Sequence, residues 1–387
     1  MYDVIILGAG AAGLMCAIRA GQRGRRVLVL DHAPRAGAKI LISGGGRCNF
    51  TNTGVQAERF LSDNPDFCRG ALARYTPDDF VSLVRRHSIG FHEKTLGQLF
   101  CDGSARQIVA MLLAECSAAG VELRLGHRVV DATRADAFFV QTDHGDVAAA
   151  CLVLATGGLS IPKLGASGLA YRLAERFGLR LTEIRPGLVP LCFDGDLLEL
   201  MRPLAGVSVD CEVGVGRAAF AEAVLFTHRG LSGPAVLQVS SYWRQGPIRL
   251  DLLVGVDAAA FLLARKRSRP RAALGSVLGE RLPGRLASAL AGAAEATRLA
   301  DVPDRTLRAV AARLSGWQVR PSGTEGYAKA EVTCGGVDTR DLSSRTMAAN
   351  AVPGLFVIGE AVDVTGWLGG YNFQWAWASG WCAGEAV

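Results

Sequence analysis

A run of glycines near the N-terminus constrains the fold of this chain more than any other feature. Gly8, Gly10 and Gly13 have the spacing G-x-G-x-x-G, between an apolar run, Tyr2–Leu7, and a helical pattern, Ala11–Arg23. In that context the first glycine permits a tight turn, the second lets the backbone approach a pyrophosphate, and the third lets helix and strand pack closely. The positive end of the helix would then face the phosphates. We therefore predict a dinucleotide-binding βαβ unit, to which Ala12 also contributes.

An acidic residue follows at the position that this unit requires. Asp31 ends the second predicted strand, Arg26–Asp31. A carboxylate there can accept a hydrogen bond from a ribose 2′-hydroxyl, and the lack of a neighbouring arginine argues against a 2′-phosphate, and so against NADP at this site. The alternative is a glycine-rich turn in an ordinary α/β protein.

A second run of similar spacing, Gly214–Ala219, lies in a stretch of alternating polarity with no helical pattern after it. We interpret it as a hairpin turn. The chain therefore has no obvious second nucleotide domain, and NAD(P)H is expected at most as a transient reductant.

The segment Lys39–Asn49 contains three consecutive glycines flanked by polar side chains. Ordering such glycines costs much backbone entropy, so we predict that a loop over Gly37–Asn52 lies against the cofactor. A flexible surface loop is the alternative. The candidate cofactor-binding residues here are Lys39, Ser43, Gly44, Gly45, Arg47, Cys48 and Asn49. Cys48 is also a candidate nucleophile or redox thiol, a role that needs a lowered thiol pKa.

Small residues end two later apolar strands, and a glycine pair opens the last helical pattern. Open α/β sheets bind ligands at the carboxyl ends of their strands, where Glu360 could accept from a ribityl hydroxyl. A helix start aimed at a flavin would stabilise the anion that develops on reduction. The candidates are Thr156, Gly157, Gly158, Gly359, Glu360, Gly370, Tyr371 and Asn372, with Val129 completing the predicted cofactor-binding set. We interpret most of the tryptophans near this last helix as core residues.

Composition limits the other possibilities. The length of 387 residues suggests two or three domains, and no apolar run reaches the length of a membrane helix. The ten cysteines include no zinc-type spacing, so we expect reduced thiols, no metal and a cytoplasmic location. His228 is either a catalytic acid or base or a structural histidine. A basic cluster, Arg265–Arg271, is either a solvated helix face or an RNA contact, and the net charge of +6 permits an acidic partner.

Together these motifs resemble the BaiN/RdsA (YhiN-type) family of NAD(P)/FAD-dependent oxidoreductases. The specific strings are SGGGRCN from Ser43, FTHRGLSGP from Phe226, VTCGGV from Val332 and GGYNFQWAW from Gly369. The resemblance implies an α/β fold in which a Rossmann-like, doubly wound FAD-binding domain is interrupted by an antiparallel β-barrel-like domain and a small helical domain. The implied bounds are residues 1–186 with 335–387, residues 187–257 with 317–334, and residues 258–316.

The resemblance also implies an FAD-dependent oxidoreductase that transfers hydride at the flavin. It leaves the substrate open, because family members are associated with a ribosomal RNA uridine, a steroid and a small aminoketone. The chain would reduce a carbon–carbon double bond or oxidise a small substrate. A uridine-reducing enzyme, an RNA-associated flavin-binding protein and a small-amine oxidase are the alternatives.

Overall fold

The computed structural model describes all residues, 1–387. The strands are β1 (Tyr2–Leu7), β2 (Val27–Asp31), β3 (Asn49–Asn52), β4 (Phe60–Leu61), β5 (Phe91–Glu93), β6 (Gln98–Cys101), β7 (Glu122–Leu125), β8 (Val129–Arg134), β9 (Phe138–Thr142), β10 (Gly145–Leu154), β11 (Arg185–Gly187), β12 (Leu191–Cys192), β13 (Ser208–Val215), β14 (Ala218–Thr227), β15 (Gly230–Ser232), β16 (Ile248–Asp251), β17 (Trp317–Val319), β18 (Gly323–Thr324), β19 (Val332–Cys334), β20 (Leu355–Val357) and β21 (Thr365–Gly366).

The α-helices follow the same chain order. They are α1 (Ala11–Gln22), α2 (Ala38–Ile42), α3 (Phe67–Arg74), α4 (Pro77–Arg86), α5 (Ala105–Ala118), α6 (Leu169–Arg176), α7 (Gly195–Met201), α8 (Pro234–Ser240), α9 (Ala258–Ser268), α10 (Leu274–Leu278), α11 (Gly284–Ala291), α12 (Asp304–Gly316) and α13 (Tyr371–Gly384). No helix is both long enough and apolar enough to span a membrane.

The chain divides into two compact units, of which the first comprises residues 1–185 and 332–387. Its main sheet has a parallel core in the order β7-β2-β1-β10, with β20 parallel to the end of β10. The residues Val4–Leu7 of β1 are fully buried, as expected for a parallel strand covered on both faces. Strands β8, β9 and the first half of β10 extend this sheet as an antiparallel meander.

The order of the parallel strands reverses direction between β1 and β10. From β1 the chain adds β2 and β7 on one side, and it adds β20 beyond β10 on the other. A crevice opens at the carboxyl ends of the strands at such a switch point, and doubly wound folds bind their ligands there. Helices α1 and α13 pack closely beside it, because Gly380 has no side chain to collide with the backbone oxygen of Ala12.

The second unit comprises residues 186–331. Its sheet has the order β17-β16-β13-β14-β15-β12-β18, with antiparallel pairing throughout. The pairing follows an open path, so the predicted barrel-like domain is an antiparallel sheet whose two end strands do not pair. The run Gly214–Ala219 forms the tight turn between β13 and β14, which confirms the hairpin interpretation.

These features confirm the predicted α/β fold class, while the exact bounds of the three predicted domains stay a prediction. One local prediction was wrong. The segment Gly37–Asn52 is not a continuous loop, because it contains helix α2, a short 3-10 turn over Ser43–Gly46 and strand β3. Three glycines in a row obscured the helical residues that precede them.

Candidate cofactor-binding site

The first glycine turn has the close contacts that its sequence predicts. Gly8 has a φ of 110°, and a side chain there would collide with the carbonyl oxygen of Ala155. A side chain at Gly13 would collide with the carbonyl oxygen of Gly8, so this glycine lets α1 pack against the strand. A side chain at Gly10 would meet no protein atom within 4 Å. The packing of the protein therefore requires glycine at positions 8 and 13, whereas Gly10 opens onto free space.

That free space lies at the N-terminus of α1, whose N-cap is Gly10. No side chain caps this helix. The first N–H groups of a helix have no acceptor within the helix and carry the positive end of its dipole. An uncapped helix start beside an open glycine fits a pyrophosphate.

The carboxylate of Asp31 binds the backbone just after β1 and just after β2. Its Oδ2 accepts from the backbone N–H of Ala9 at 2.7 Å, and its Oδ1 accepts from that of Ala33 at 2.8 Å. An ionised carboxylate offers about four acceptor positions, so about two remain for ribose hydroxyls. Asp31 thus stabilises the glycine turn and keeps the capacity that its predicted role needs.

A second polar cluster joins four segments that are far apart in the sequence. Glu360 lies just after β20, and its Oε2 accepts from Nζ of Lys39 in α2 at 2.5 Å. Its Oε1 accepts from Ser160 Oγ at 2.9 Å and from the backbone N–H of Thr333 at 2.8 Å. Lys39 also donates to Ser160 Oγ at 2.6 Å. We call Lys39, Ser160, Thr333 and Glu360 the lysine–glutamate cluster.

Burial and charge act in opposite directions on Glu360. Burial alone would raise the pKa of this carboxyl, but the charge and hydrogen bond of Lys39, with the bonds from Thr333 and Ser160, bring its pKa below the usual value. The side chain of Glu360 is 20% exposed, and about one acceptor position remains on Oε2. Glu360 therefore stays ionised and can still accept from a ribityl hydroxyl.

Two members of this cluster, Ser160 and Thr333, were not predicted from the sequence. Both are buried, and Thr333 Oγ1 accepts from the backbone N–H groups of Leu159, at 2.8 Å, and Ser160, at 3.1 Å. Their positions in the sequence offered a weak indication of a role in the site, because Ser160 follows the predicted candidates Gly157 and Gly158 and Thr333 lies in the VTCGGV string.

The glycine-rich segment after α2 is partly exposed. Gly44 and Gly45 have φ values of 56° and 66°, which a side chain would strain, and Arg47 is exposed. Ser43 Oγ donates to the backbone oxygen of Ile40 at 2.8 Å. The side-chain amide of Asn49 pairs with that of Gln98 at 2.9 Å.

Cys48 does not suit the role of a reactive thiol. Its side chain is fully buried, and burial raises the pKa of the thiol to about 12. A nucleophilic or redox cysteine needs a thiolate near neutral pH and access to solvent or substrate. The structure therefore argues against catalysis by Cys48, which leaves it a buried residue of the glycine-rich segment.

The start of α13 is fixed by its own side chains. Gly370 has a φ of 95°, and a side chain there would collide with the carbonyl oxygen of Thr51. Asn372 bonds both backbone groups of Gly366 at 2.9 Å, and the hydroxyl of Tyr371 accepts from Arg59. These contacts position the helix start, so any cofactor contact here would come from its backbone.

The buried tryptophans of α13 are core residues, as predicted. Trp375 donates to the backbone oxygen of Gly359 at 2.9 Å, and Trp377 donates to that of Phe50 at 2.8 Å. Their indole N–H groups thus tie the helix to the chain just after β20 and to β3 while the rings fill the core.

The remaining candidates lie in different places. Thr156 Oγ1 accepts from the backbone N–H of Ala170 near the start of α6, and Gly359 donates to Ser379 Oγ. Gly157 and Gly158 both lie close to the carboxylate of Glu360. Val129 begins β8 and is half-buried, while His228 is exposed in the turn between β14 and β15 in the second unit.

Comparison with known proteins identifies full-length relatives. The chain is 50% identical to the ribosomal RNA dihydrouridine synthase of Escherichia coli, with 100% of this chain and 98% of the relative covered. It is 43% identical to the protein of the same name from Haemophilus influenzae, with 99% and 98% covered. It is 30% identical to the 3-dehydro-bile acid delta(4,6)-reductase of Clostridium scindens, with 100% and 99% covered.

A solved structure supports the fold alone. The 3-ketosteroid-delta4-(5alpha)-dehydrogenase of Rhodococcus jostii RHA1 matches with a TM-score of 0.51 and 16% identity, covering 99% of this chain and 96% of that one.

The family model described as "HI0933-like protein Rossmann domain" matches residues 2–386. This match and the full-length relatives confirm the family resemblance seen in the motifs. The chain therefore belongs to the HI0933-like Rossmann-domain family and is a flavin-dependent oxidoreductase.

Proposed function

We propose that this chain reduces a uridine of ribosomal RNA to dihydrouridine. One observation carries the proposal. The two relatives with that name are 50% and 43% identical over nearly their whole lengths, whereas the bile-acid reductase is 30% identical. A ribosomal RNA substrate would also require the cytoplasmic location that the cysteine usage suggested.

The reaction adds one hydride and one proton across the C5–C6 double bond of uracil, so the ring gains two hydrogens. Bound FAD, once reduced by an external electron donor, would supply the hydride and return to its oxidised form, and the protein contributes binding, orientation and electrostatics. The open position at Gly10 and the uncapped start of α1 would hold the pyrophosphate. The free acceptor positions of Asp31 and Glu360 would take the ribose and ribityl hydroxyls.

The proton for the second carbon has to come from an acid or from water. We propose His228 for this step, because an imidazole can donate a proton near neutral pH and the side chain is exposed. His228→Gln should lower the rate of dihydrouridine formation and leave the flavin content unchanged. An unchanged rate would remove His228 from the mechanism.

The proposed function is tested with ribosomal RNA that lacks dihydrouridine. We expect the purified holoenzyme, with its flavin reduced by dithionite under anaerobic conditions, to convert a uridine to a nucleoside heavier by two hydrogens. Mass spectrometry of the digested RNA measures this product. Dithionite replaces the physiological reductant, so a negative result cannot come from the lack of an electron donor.

Two parallel reactions separate the proposal from its alternatives. The first offers an unsaturated 3-oxo steroid, because the bile-acid reductase supports a small-molecule reductase as the second candidate. The second offers small amines and oxygen and measures oxygen consumption. Steroid reduction or amine oxidation without any dihydrouridine would contradict the proposal.

The physiological reductant is a separate prediction. Because Gly214–Ala219 is a hairpin turn, the chain offers a single dinucleotide fingerprint, and FAD would use it. We therefore propose weak and unselective reduction by NADH and NADPH, or reduction by another electron carrier. Stopped-flow bleaching of the flavin measures both rates. A saturable reaction strongly selective for NADPH would reveal a site that the fold does not suggest.

A further inference from the structure

The positive charge of this chain is concentrated in one segment. Residues 258–316, which form α9 to α12, contain eleven arginines and lysines and four acidic residues, a net charge of +7. The whole chain has a net charge of +6, so all other residues together have a charge of −1. A general preference for arginine would spread positive charge along the whole chain, whereas here the excess positive charge lies in this one segment.

Part of this charge is used within the segment itself. Arg265 and Arg269 of the predicted basic cluster both pair with Glu280. Lys266 donates to Asp304 Oδ1 and to the backbone oxygen of Val302, both at 2.7 Å. These three cations therefore stabilise the packing of the helices. For these residues the interpretation as an ordinary solvated helix face holds.

Not every arginine of the segment pairs with a carboxylate. Four of them are exposed and take part in none of these ion pairs: Arg267, Arg271, Arg305 and Arg308. Arg267 lies on α9, and Arg308 lies on α12 one turn after Asp304, on the same side of the helix.

Arg267 and Arg308 add positive charge near the carboxylate of Asp304, which already pairs with Lys266. The hydrogen bond and charge of Lys266, and then the charges of Arg308 and Arg267, lower the pKa of Asp304. Lys266 already balances the charge of Asp304, and Arg267 and Arg308 are exposed and not paired with it, so this part of the surface keeps a net positive charge. Concentrated like charge repels itself and disfavours the folded state unless a partner of opposite charge binds.

We propose that Arg267 and Arg308, flanked by Arg271 and Arg305, bind the phosphate backbone of RNA. We call these four residues the arginine face. The inference rests on the proposed function, because a steroid or a small amine would not need such a surface, whereas a ribosomal RNA presents a dense row of phosphates. Arginine binds phosphate oxygens in a planar, two-pronged geometry, which suits this role.

The test compares two double variants with the same loss of charge. R267Q/R308Q removes the central pair of the arginine face, and R265Q/R269Q removes two arginines of the same region that are paired with Glu280. Each lost phosphate contact changes the slope of log affinity against log salt by about 0.7 to 0.9. We therefore expect R267Q/R308Q to flatten the slope by about 1.5 and to bind ribosomal RNA about 30-fold more weakly at 0.1 M salt.

Fluorescence anisotropy with labelled ribosomal RNA fragments over a series of salt concentrations measures the affinity. Flavin content and the melting temperature show that each variant is folded. R265Q/R269Q should keep nearly the wild-type slope. The inference is overturned if R267Q/R308Q binds like wild type, or if both variants lose the same affinity, which would mean a general effect of net charge.

The dihydrouridine assay separates this inference from the proposed function. Dihydrouridine formation by wild type together with unchanged RNA binding by R267Q/R308Q would overturn the arginine face and leave the function intact. No dihydrouridine from wild type, together with weakened RNA binding by R267Q/R308Q, would overturn the function and support the face as an RNA-binding surface.

Discussion

Replacing Gly10 with valine is expected to abolish flavin binding and to leave the protein folded. A side chain at Gly10 meets no protein atom within 4 Å, so the apoprotein can accommodate it. The same side chain would occupy the space where the pyrophosphate has to approach the start of α1. We expect binding of FAD to weaken by at least about 100-fold, or ~2.7 kcal/mol.

Gly13→Val is the matched comparison, because it places the same side chain one helical turn away. There the side chain would collide with the carbonyl oxygen of Gly8, so this variant should lose both flavin and stability. The ratio of flavin to protein after reconstitution, calorimetric titration with FAD and circular dichroism distinguish the two outcomes. A Gly10→Val protein that retains stoichiometric FAD would show that the pyrophosphate does not lie at this turn.

Breaking the lysine–glutamate cluster is expected to have the second largest effect. Glu360→Gln leaves the ammonium group of Lys39 without its anion. It also turns an amide toward the donors whose hydrogen bonds Glu360 accepts. Lys39→Met leaves the carboxylate without its cation. Removing one partner of a partly buried, hydrogen-bonded ion pair costs more than the pair contributes, and we expect each variant to lose about 2 kcal/mol.

The double variant Lys39→Met/Glu360→Gln serves as the control. It removes both charges, so it should lose less stability than the two single variants combined, with a coupling of about 1 kcal/mol or more. Thermal unfolding with and without FAD measures the differences. Additive losses would show that Lys39 and Glu360 do not act as a pair.

The pH dependence of this effect has a definite sign. The folded-state pKa of Glu360 lies below its ordinary value of 4.5, so the stabilisation is fully present above pH 4.5 and is lost as the pH falls through the lower folded-state pKa. The difference in stability between wild type and Glu360→Gln should therefore shrink as the pH is lowered below 4.5. A difference that grows in acid would contradict the assignment of an ionised Glu360.

Features that depend on local spacing could be predicted from the sequence. The tight turn at the glycine fingerprint, the position of Asp31 at the end of the second strand and the hairpin at Gly214–Ala219 were all predicted correctly. Each depends on backbone geometry within one turn or one βαβ unit, where only certain residue types fit. Such constraints are visible in the order of the residues.

Contacts between distant residues could not be predicted in the same way, because they depend on the three-dimensional packing of the chain. Lys39 and Glu360 are 321 positions apart, and Ser160 and Glu360 are 200 apart. Ser160 and Glu360 meet because they follow β10 and β20, two parallel strands whose carboxyl ends lie at one edge of the sheet, and Lys39 reaches them from helix α2. No local pattern states which side chains face each other there. The arginines at the end of α9 and just after it also differ through tertiary contacts, since Glu280 pairs with Arg265 and Arg269 and leaves Arg267 exposed.

The expectation from the sequence and the observed structure differ most clearly at Cys48. Its neighbours in the sequence, a glycine run and polar donors, are typical of a functional loop, and the sequence therefore allowed a reactive thiol. The fold buries the side chain completely and raises the pKa of the thiol to about 12. Sequence determined where the backbone must bend, whereas solvent access and charge partners, which govern reactivity, arose only from the packing of segments far apart in the chain.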